Sequence, residues 1–196
     1  MRSRIARGWL LLAAVVLAAC VGTPAPKEQY FTLSSPNPGV APPASDSPSI
    51  YVGPVTVPEA VDRPSLVLRT SPNQVDVSDD YRWAEPLRNA IPRMIGDVLS
   101  RELGTSRVLT NRSASATAVD IRVSIEIQRF DSSLTDGATI DAVWSVKDVA
   151  NGKMRNGRSV VHEALASSGP AGIAAAASRA LERVGHEIAQ AARESR

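Results

Sequence analysis

Cysteine occurs once in the 196 residues, at position 20. A chain with one thiol can form no internal disulfide, so its fold must be held by packing alone. Aromatic residues make up only 4% of the chain, too few for a platform that stacks bases or sugars. The two histidines, His162 and His186, have no thiol to join them as ligands of a metal site. G-x-S-x-G, S-x-x-K, Walker A and G-x-G-x-x-G patterns are all missing, so there is neither a nucleophile elbow nor a phosphate-cradling loop. Charge of one sign is missing too. The chain holds 22 Lys and Arg against 20 Asp and Glu, and Arg2, Arg4 and Arg7 lie in an N-terminal stretch without acids. The residues after position 19 therefore carry 19 basic and 20 acidic groups, and the electrostatic case for a nucleic-acid partner disappears.

What is present begins at the N-terminus. The three arginines precede an apolar run over residues 9–19. Eleven helical residues rise about 16 Å, against roughly 30 Å of bilayer hydrocarbon, so the run predicts a signal peptide and not a spanning helix. It ends Leu17-Ala18-Ala19-Cys20, which resembles the lipobox of bacterial lipoproteins: a branched apolar residue, two small ones, then cysteine. Small side chains open the bond before Cys20 to a peptidase, and the free thiol takes the diacylglycerol group. Acylation at Cys20 with two or more chains gives a stable membrane anchor, since each buried CH₂ contributes about 0.8 kcal/mol. Val21 is not aspartate, which by resemblance to enterobacterial lipoproteins favours the outer membrane. The expected organisation is a signal peptide over residues 1–19, a lipidated cysteine and tether over 20–28, and one domain over 29–196. Nine residues of tether, 21–29, reach about 30 Å at most.

Within that domain, residues 34–49 carry five prolines among small residues and read as a flexible or polyproline loop. Tyr30 to Leu33 is a short strand that must pair with something downstream to exist at all. Residues 49–57 alternate, and Pro54 marks an edge position or a bulge. Residues 65–69 and 74–77 form a hairpin around Ser71-Pro72-Asn73. Helical spacing of Leu87, Ile91, Met94, Val98 and Leu103 predicts a helix over 86–103, with Gly104 as its cap and Pro92 as a kink or a late start. After a short strand at 107–109, three alternating runs at 119–128, 138–146 and 155–165 form an antiparallel meander. A last helix over 171–193 carries a narrow Ala-rich stripe. The expected fold is α/β, bordering on α+β: a single domain with a mixed, mostly antiparallel sheet and two packed helices.

Chemistry is hard to find in this chain. His162 and Glu163 are neighbours on a strand and point to opposite faces. Asp79 and Asp80 read as a solvated or capping pair in a turn before the helix. No catalytic residues, cofactor or metal ligands are assigned, and nothing supports an enzyme. The unusual stretch is 57–87, which sets Arg63, Arg69, Tyr81, Arg82, Trp83 and Glu85 on expected loops, where binding residues concentrate. Trp83 reads first as a core anchor at the sheet–helix junction, and Glu85 complements the positive end of the helix.

The lipobox, Tyr30-Phe31-Thr32-Leu33, the strand Ile50 to Pro58, Asp62-Arg63-Pro64, Leu68-Arg69 and Trp83-Ala84-Glu85-Pro86-Leu87 together resemble the PqiC/YmbA-type family, auxiliary lipoproteins of ABC-type and MCE-type transport systems. Ala60 departs from the larger residue expected after Pro58. The resemblance implies a small α/β domain on the periplasmic face of the outer membrane. Its partners would be an MCE-domain protein and membrane permease subunits that move lipids or other apolar solutes between the two membranes. It also implies a homo-oligomer, since some relatives form rings, and it brings no catalytic residues. Arg63, Arg69, Trp83 and Glu85 become the candidate partner contacts. The alternative is a lipoprotein that itself binds a lipid or small apolar ligand, for which a deep cavity between sheet and helices would be diagnostic. A periplasmic hydrolase would instead need a nucleophile within reach of His162 or His186.

Overall fold

The computed structural model describes residues 27–35, 47–110 and 118–195. The signal peptide, Cys20 and most of the proline-rich segment lie outside these residues. Among the described residues, eight strands and two helices follow one another as β1 (Gln29–Phe31), β2 (Ile50–Thr56), β3 (Ser65–Ser71), β4 (Gln74–Trp83), α1 (Leu87–Leu103), β5 (Val108–Leu109), β6 (Ile121–Ser133), β7 (Gly137–Asp148), β8 (Met154–Glu163) and α2 (Pro170–Ser195). The class is α/β, with two helices on sheet. The strands divide into two sheets, a five-stranded one in the order β5-β2-β6-β7-β8 and a three-stranded one in the order β1-β4-β3. Parallel pairings join β1 to β4 and β2 to both β5 and β6, while the longer ladders, β3–β4, β6–β7 and β7–β8, are antiparallel.

The meander β6-β7-β8 follows from its alternation. Ile121, Val123, Ile125 and Ile127 of β6 and Ile140, Ala142, Trp144 and Val146 of β7 turn to one buried face. A register shift between Ile127 and Arg129 then inserts an extra residue, so Phe130 and Ser132 take over the inward positions and the strand continues to Ser133. A similar shift between Val52 and Val55 in β2 answers the Pro54 question: the proline sits at a bulge of an interior strand, past the end of the two-residue β5. Opposite Trp144 stands Gly157 of β8, and a Cβ there would run into the indole ring. The ring therefore occupies the space beside the glycine, and its Nε1 donates to Ser159 Oγ at 2.9 Å.

Both helices cover the same face of the large sheet. α1 packs over β2 and β5, α2 over β7 and β8, and the two helices pack against each other. Leu87, Ile91, Met94, Ile95, Val98 and Leu99 of α1 are fully buried, as are Ile173, Ala177, Leu181, Val184 and Ile188 of α2. Their spacing is that of one helical face. The helices approach closely at Gly185, where an added Cβ would sit 2.9 Å from Val98. Arg101 Nη2 donates to Glu182 Oε1 across the pair at 2.8 Å. α1 runs from Leu87 straight through Pro92, which is buried, and ends at Gly104 in the left-handed conformation (φ +62°). The small sheet meets the end of β6 after the bulge, where the Trp83 and Phe130 rings stand edge to face, 6.1 Å between centroids.

Candidate functional site

Two expectations about the stretch before α1 are corrected. Asp79, Asp80, Tyr81, Arg82 and Trp83 are not in a loop or turn; they form the second half of β4. The reason is β1, whose Gln29, Tyr30 and Phe31 lie parallel to Tyr81, Arg82 and Trp83 and supply the ladder that holds this half extended. The N-terminal strand thus finds the downstream partner it needed. Trp83 N–H donates to Pro64 O at 2.7 Å and Ala84 N–H to Phe31 O at 2.8 Å. These two bonds bring the turn before β3, the end of β4 and β1 to one place, immediately ahead of the first turn of α1.

At that place is a surface cavity of about 370 Å³, lined by Tyr30, Asp62, Arg63, Pro64, Arg82, Trp83, Ala84, Glu85, Pro86 and Arg88. Of the four candidate contacts, the cavity gathers Arg63, Trp83 and Glu85. Trp83 is 5% exposed and serves as an anchor of the wall. Glu85 is ion-paired with Arg93, eight residues further along and inside α1. Arg88 Nη2 lies 3.2 Å from Asp62 Oδ2, and Arg82 Nη2 lies 2.9 Å from Glu28 Oε1. Arg63 is exposed, and among the described residues it forms no ion pair. Asp62 Oδ1 and Arg82 Nε are buried without a hydrogen-bond partner. Tyr30 stands at the rim, 60% exposed, its hydroxyl donating to Glu28 Oε2 at 2.5 Å. That bond, with the carboxylate's charge, raises the phenol's pKa.

Arg69 is elsewhere. It is near the end of β3, and its Nη2 donates to Asp131 Oδ1 at 2.7 Å and its Nη1 to Pro72 O at 3.0 Å. The bond to Asp131 raises the guanidinium's pKa. This side chain ties the small sheet to β6 and closes the β3–β4 turn. Tyr30 and Asp62, which the sequence placed in motifs but not among the candidate contacts, and Arg88 also line the cavity. For Asp62 and Arg88 the only available signal was opposite charge across 26 positions, which carries no information about contact.

The histidines lie on separate elements. His162 is exposed on β8, with Nδ1 3.0 Å from Thr139 Oγ1, while Glu163 beside it is buried. His186, on α2, lies 2.9 Å from Glu102 Oε1. No group of three or more His, Cys, Asp or Glu suited to a metal ion occurs among the described residues, and no helix among them is long and apolar enough to cross a membrane.

Comparison with known proteins agrees with this architecture. The crystal structure of an uncharacterized protein superposes with a TM-score of 0.68 at 16% identity, covering 84% of this chain and 97% of the other. Protein XCC0632 from Xanthomonas campestris gives 0.61 at 21% identity, covering 83% of this chain and 92% of its own. These two share the fold. No curated protein matches the chain. The family described as ABC-type transport auxiliary lipoprotein component matches residues 31–189, from the end of β1 to near the end of α2. The chain belongs to the family of ABC-type transport auxiliary lipoprotein components, as its PqiC/YmbA-type motifs imply.

Proposed function

We propose that this domain hangs from the periplasmic face of the outer membrane by an acylated Cys20. From there it docks an MCE-domain protein and, through it, the permease of a system that moves lipids or other apolar solutes between the membranes. One observation carries the reading. Asp62-Arg63-Pro64 and Trp83-Ala84-Glu85-Pro86, far apart in sequence, converge on one cavity, and there Arg63 presents an exposed charge that no acid among the described residues neutralises. Tethering raises the local concentration of the domain near its membrane, so modest affinity at this surface is enough. Any ATP hydrolysis belongs to another subunit, because the sequence holds no phosphate-binding loop.

The interface between helices and sheet favours docking over carriage of a ligand. Ile95, Leu99, Ile140, Leu181, Val184 and Ile188 are fully buried there, and they fill the space a lipid would need. The test is co-purification of the acylated chain with the MCE-domain protein from detergent-solubilised membranes. Arg63→Glu is expected to abolish capture with the fold intact, and Cys20→Ala to release the chain from the membrane. Full capture by a folded Arg63→Glu variant moves the interface elsewhere.

A further inference from the structure

β1 is an edge strand. In the three-stranded sheet it pairs on one side only, with β4, and no strand among the described residues pairs with its other side. Because Phe31 O accepts from Ala84 N–H, Phe31 turns its backbone groups toward β4. Successive residues of a strand aim these groups to opposite sides, so Tyr30 turns its own N–H and C=O to the open edge. Such an edge is a template for a further strand.

Space lies alongside it. A second surface cavity, of about 460 Å³, runs between β1 and the start of α2, with Tyr30 and Ser34 on one side and Ala171, Ala174, Ala175 and Ser178 on the other. The alanines keep this wall of the helix low. The groove ends where Ser34 N–H donates to Ser178 Oγ at 3.2 Å. Tyr30 lines both cavities, so the groove beside β1 and the Arg63 cavity border the same residue.

The charge of the second half of this surface selects the occupant. Glu28 is matched by Arg82, Asp62 by Arg88 and Glu85 by Arg93, which leaves the Arg63 charge in surplus among these residues. We propose that an extended segment of the partner protein adds as a new strand to the open edge of β1, bonding to the backbone of Tyr30 and placing a carboxylate on Arg63. The backbone bonds set direction and register, and the guanidinium selects an acidic segment. The inference rests on the docking reading above and names what docks. With only three residues in β1, the edge offers few backbone bonds, so the pairing is weak alone and depends on the Arg63 contact and on tethering.

The test uses the full mature chain and the MCE-domain protein, with affinity read by interferometry. Tyr30→Pro removes the outward N–H and leaves Phe31's bonds to β4 in place, as an edge position allows. It should lower affinity at least about tenfold, with unchanged circular dichroism and melting. Tyr30→Ala, which keeps the backbone donor, should lower it only a few-fold. Arg63→Glu should also lose at least about tenfold, and the loss should be recovered when the interacting partner acid is changed to Lys. If Tyr30→Pro fails to fold, hydrogen exchange on the wild type decides: the Tyr30 amide should slow at least about tenfold in the complex. An unprotected Tyr30 amide in a saturated complex overturns the proposal. Wild-type affinity in both folded variants also overturns the edge pairing and leaves docking itself intact, whereas failure of the wild-type chain to bind the MCE-domain protein at all defeats the docking reading. If Tyr30→Pro instead breaks a homo-oligomer and leaves partner binding unchanged, the edge belongs to a second copy of this chain and the proposal is wrong.

Discussion

Along β6 the inward residues Ile121, Val123, Ile125 and Ile127 are at most 3% exposed, whereas the first four residues of β4, Gln74 to Val77, are all exposed. The large sheet has two helices to bury against. The small sheet has none of its own, and it borrows a core from the end of β6 through Leu66, Leu68, Trp83 and Phe130. Burial of apolar area dominates stability at roughly 25 cal/mol per Å², so the large sheet with its helices holds the fold. The small sheet contributes less and keeps its polar side chains, open edge and cavity available. On the docking proposed above, stability and recognition fall to different sheets that meet at one apolar junction.

Breaking that junction should produce the largest effect. Trp83→Ala removes the ring that packs on Phe130, and urea denaturation should show a loss of about 3–5 kcal/mol. Within the large sheet, Gly157→Ala drives a methyl into the Trp144 ring and should cost about 1–3 kcal/mol by the same measurement. Arg69→Ala removes the charged tie between Arg69 and Asp131. That pair is partly exposed, and the loss should be about 1 kcal/mol, with the effect shrinking as salt rises. Arg63→Glu should change stability by less than about 0.5 kcal/mol while abolishing partner capture. A large loss of stability in that variant would erase the separation of roles.

A pH series sharpens the same contrast. Asp141 in the large sheet accepts two bonds from Arg158, at 2.9 and 2.6 Å, and these hold its pKa below the ordinary carboxylate value. Glu102 is held low in the same way, first by Arg193 and then by the charge of His186. A carboxylate depressed in the folded state contributes stability that is fully present above the unfolded pKa, about 4, and is lost as pH falls through the folded value. Stability should therefore fall below about pH 4, and Asp141→Asn should flatten the decline.

Most of the large sheet and both helices were legible in the sequence, because their apolar residues repeat at the period of the element they form. The α/β class followed from those elements. The failures occur where local pattern and tertiary structure part. The bulge after Ile127 reverses the inward phase, so the expected strand stopped at residue 128 and left out the last third of β6. The run from Asp79 to Arg82 has no apolar alternation, and its extension depends on long-range pairing, with β1 some fifty residues earlier beside Tyr81 and Arg82 and Ser65 of β3 on the other side of Arg82. The division into two sheets is a long-range result with no local signature. At the site, the motif residues Arg63, Trp83 and Glu85 converge and Arg69 does not, since shared membership in a motif says nothing about which wall of the molecule a side chain joins. Tyr30 lay in a recognised strand, but its place at the junction of two cavities depends on pairing that only the folded chain reveals.

The contact between Trp144 and Gly157 has a consequence for how this chain can change over generations. Neither position is free to drift alone: a side chain at 157 has no room while the indole lies over it, and a smaller residue at 144 leaves a hollow and removes the Nε1 donor from Ser159, whose hydroxyl keeps only Glu187. The two sites, thirteen residues apart, form a single heritable unit. Descendants that exchange one should be found to have exchanged the other.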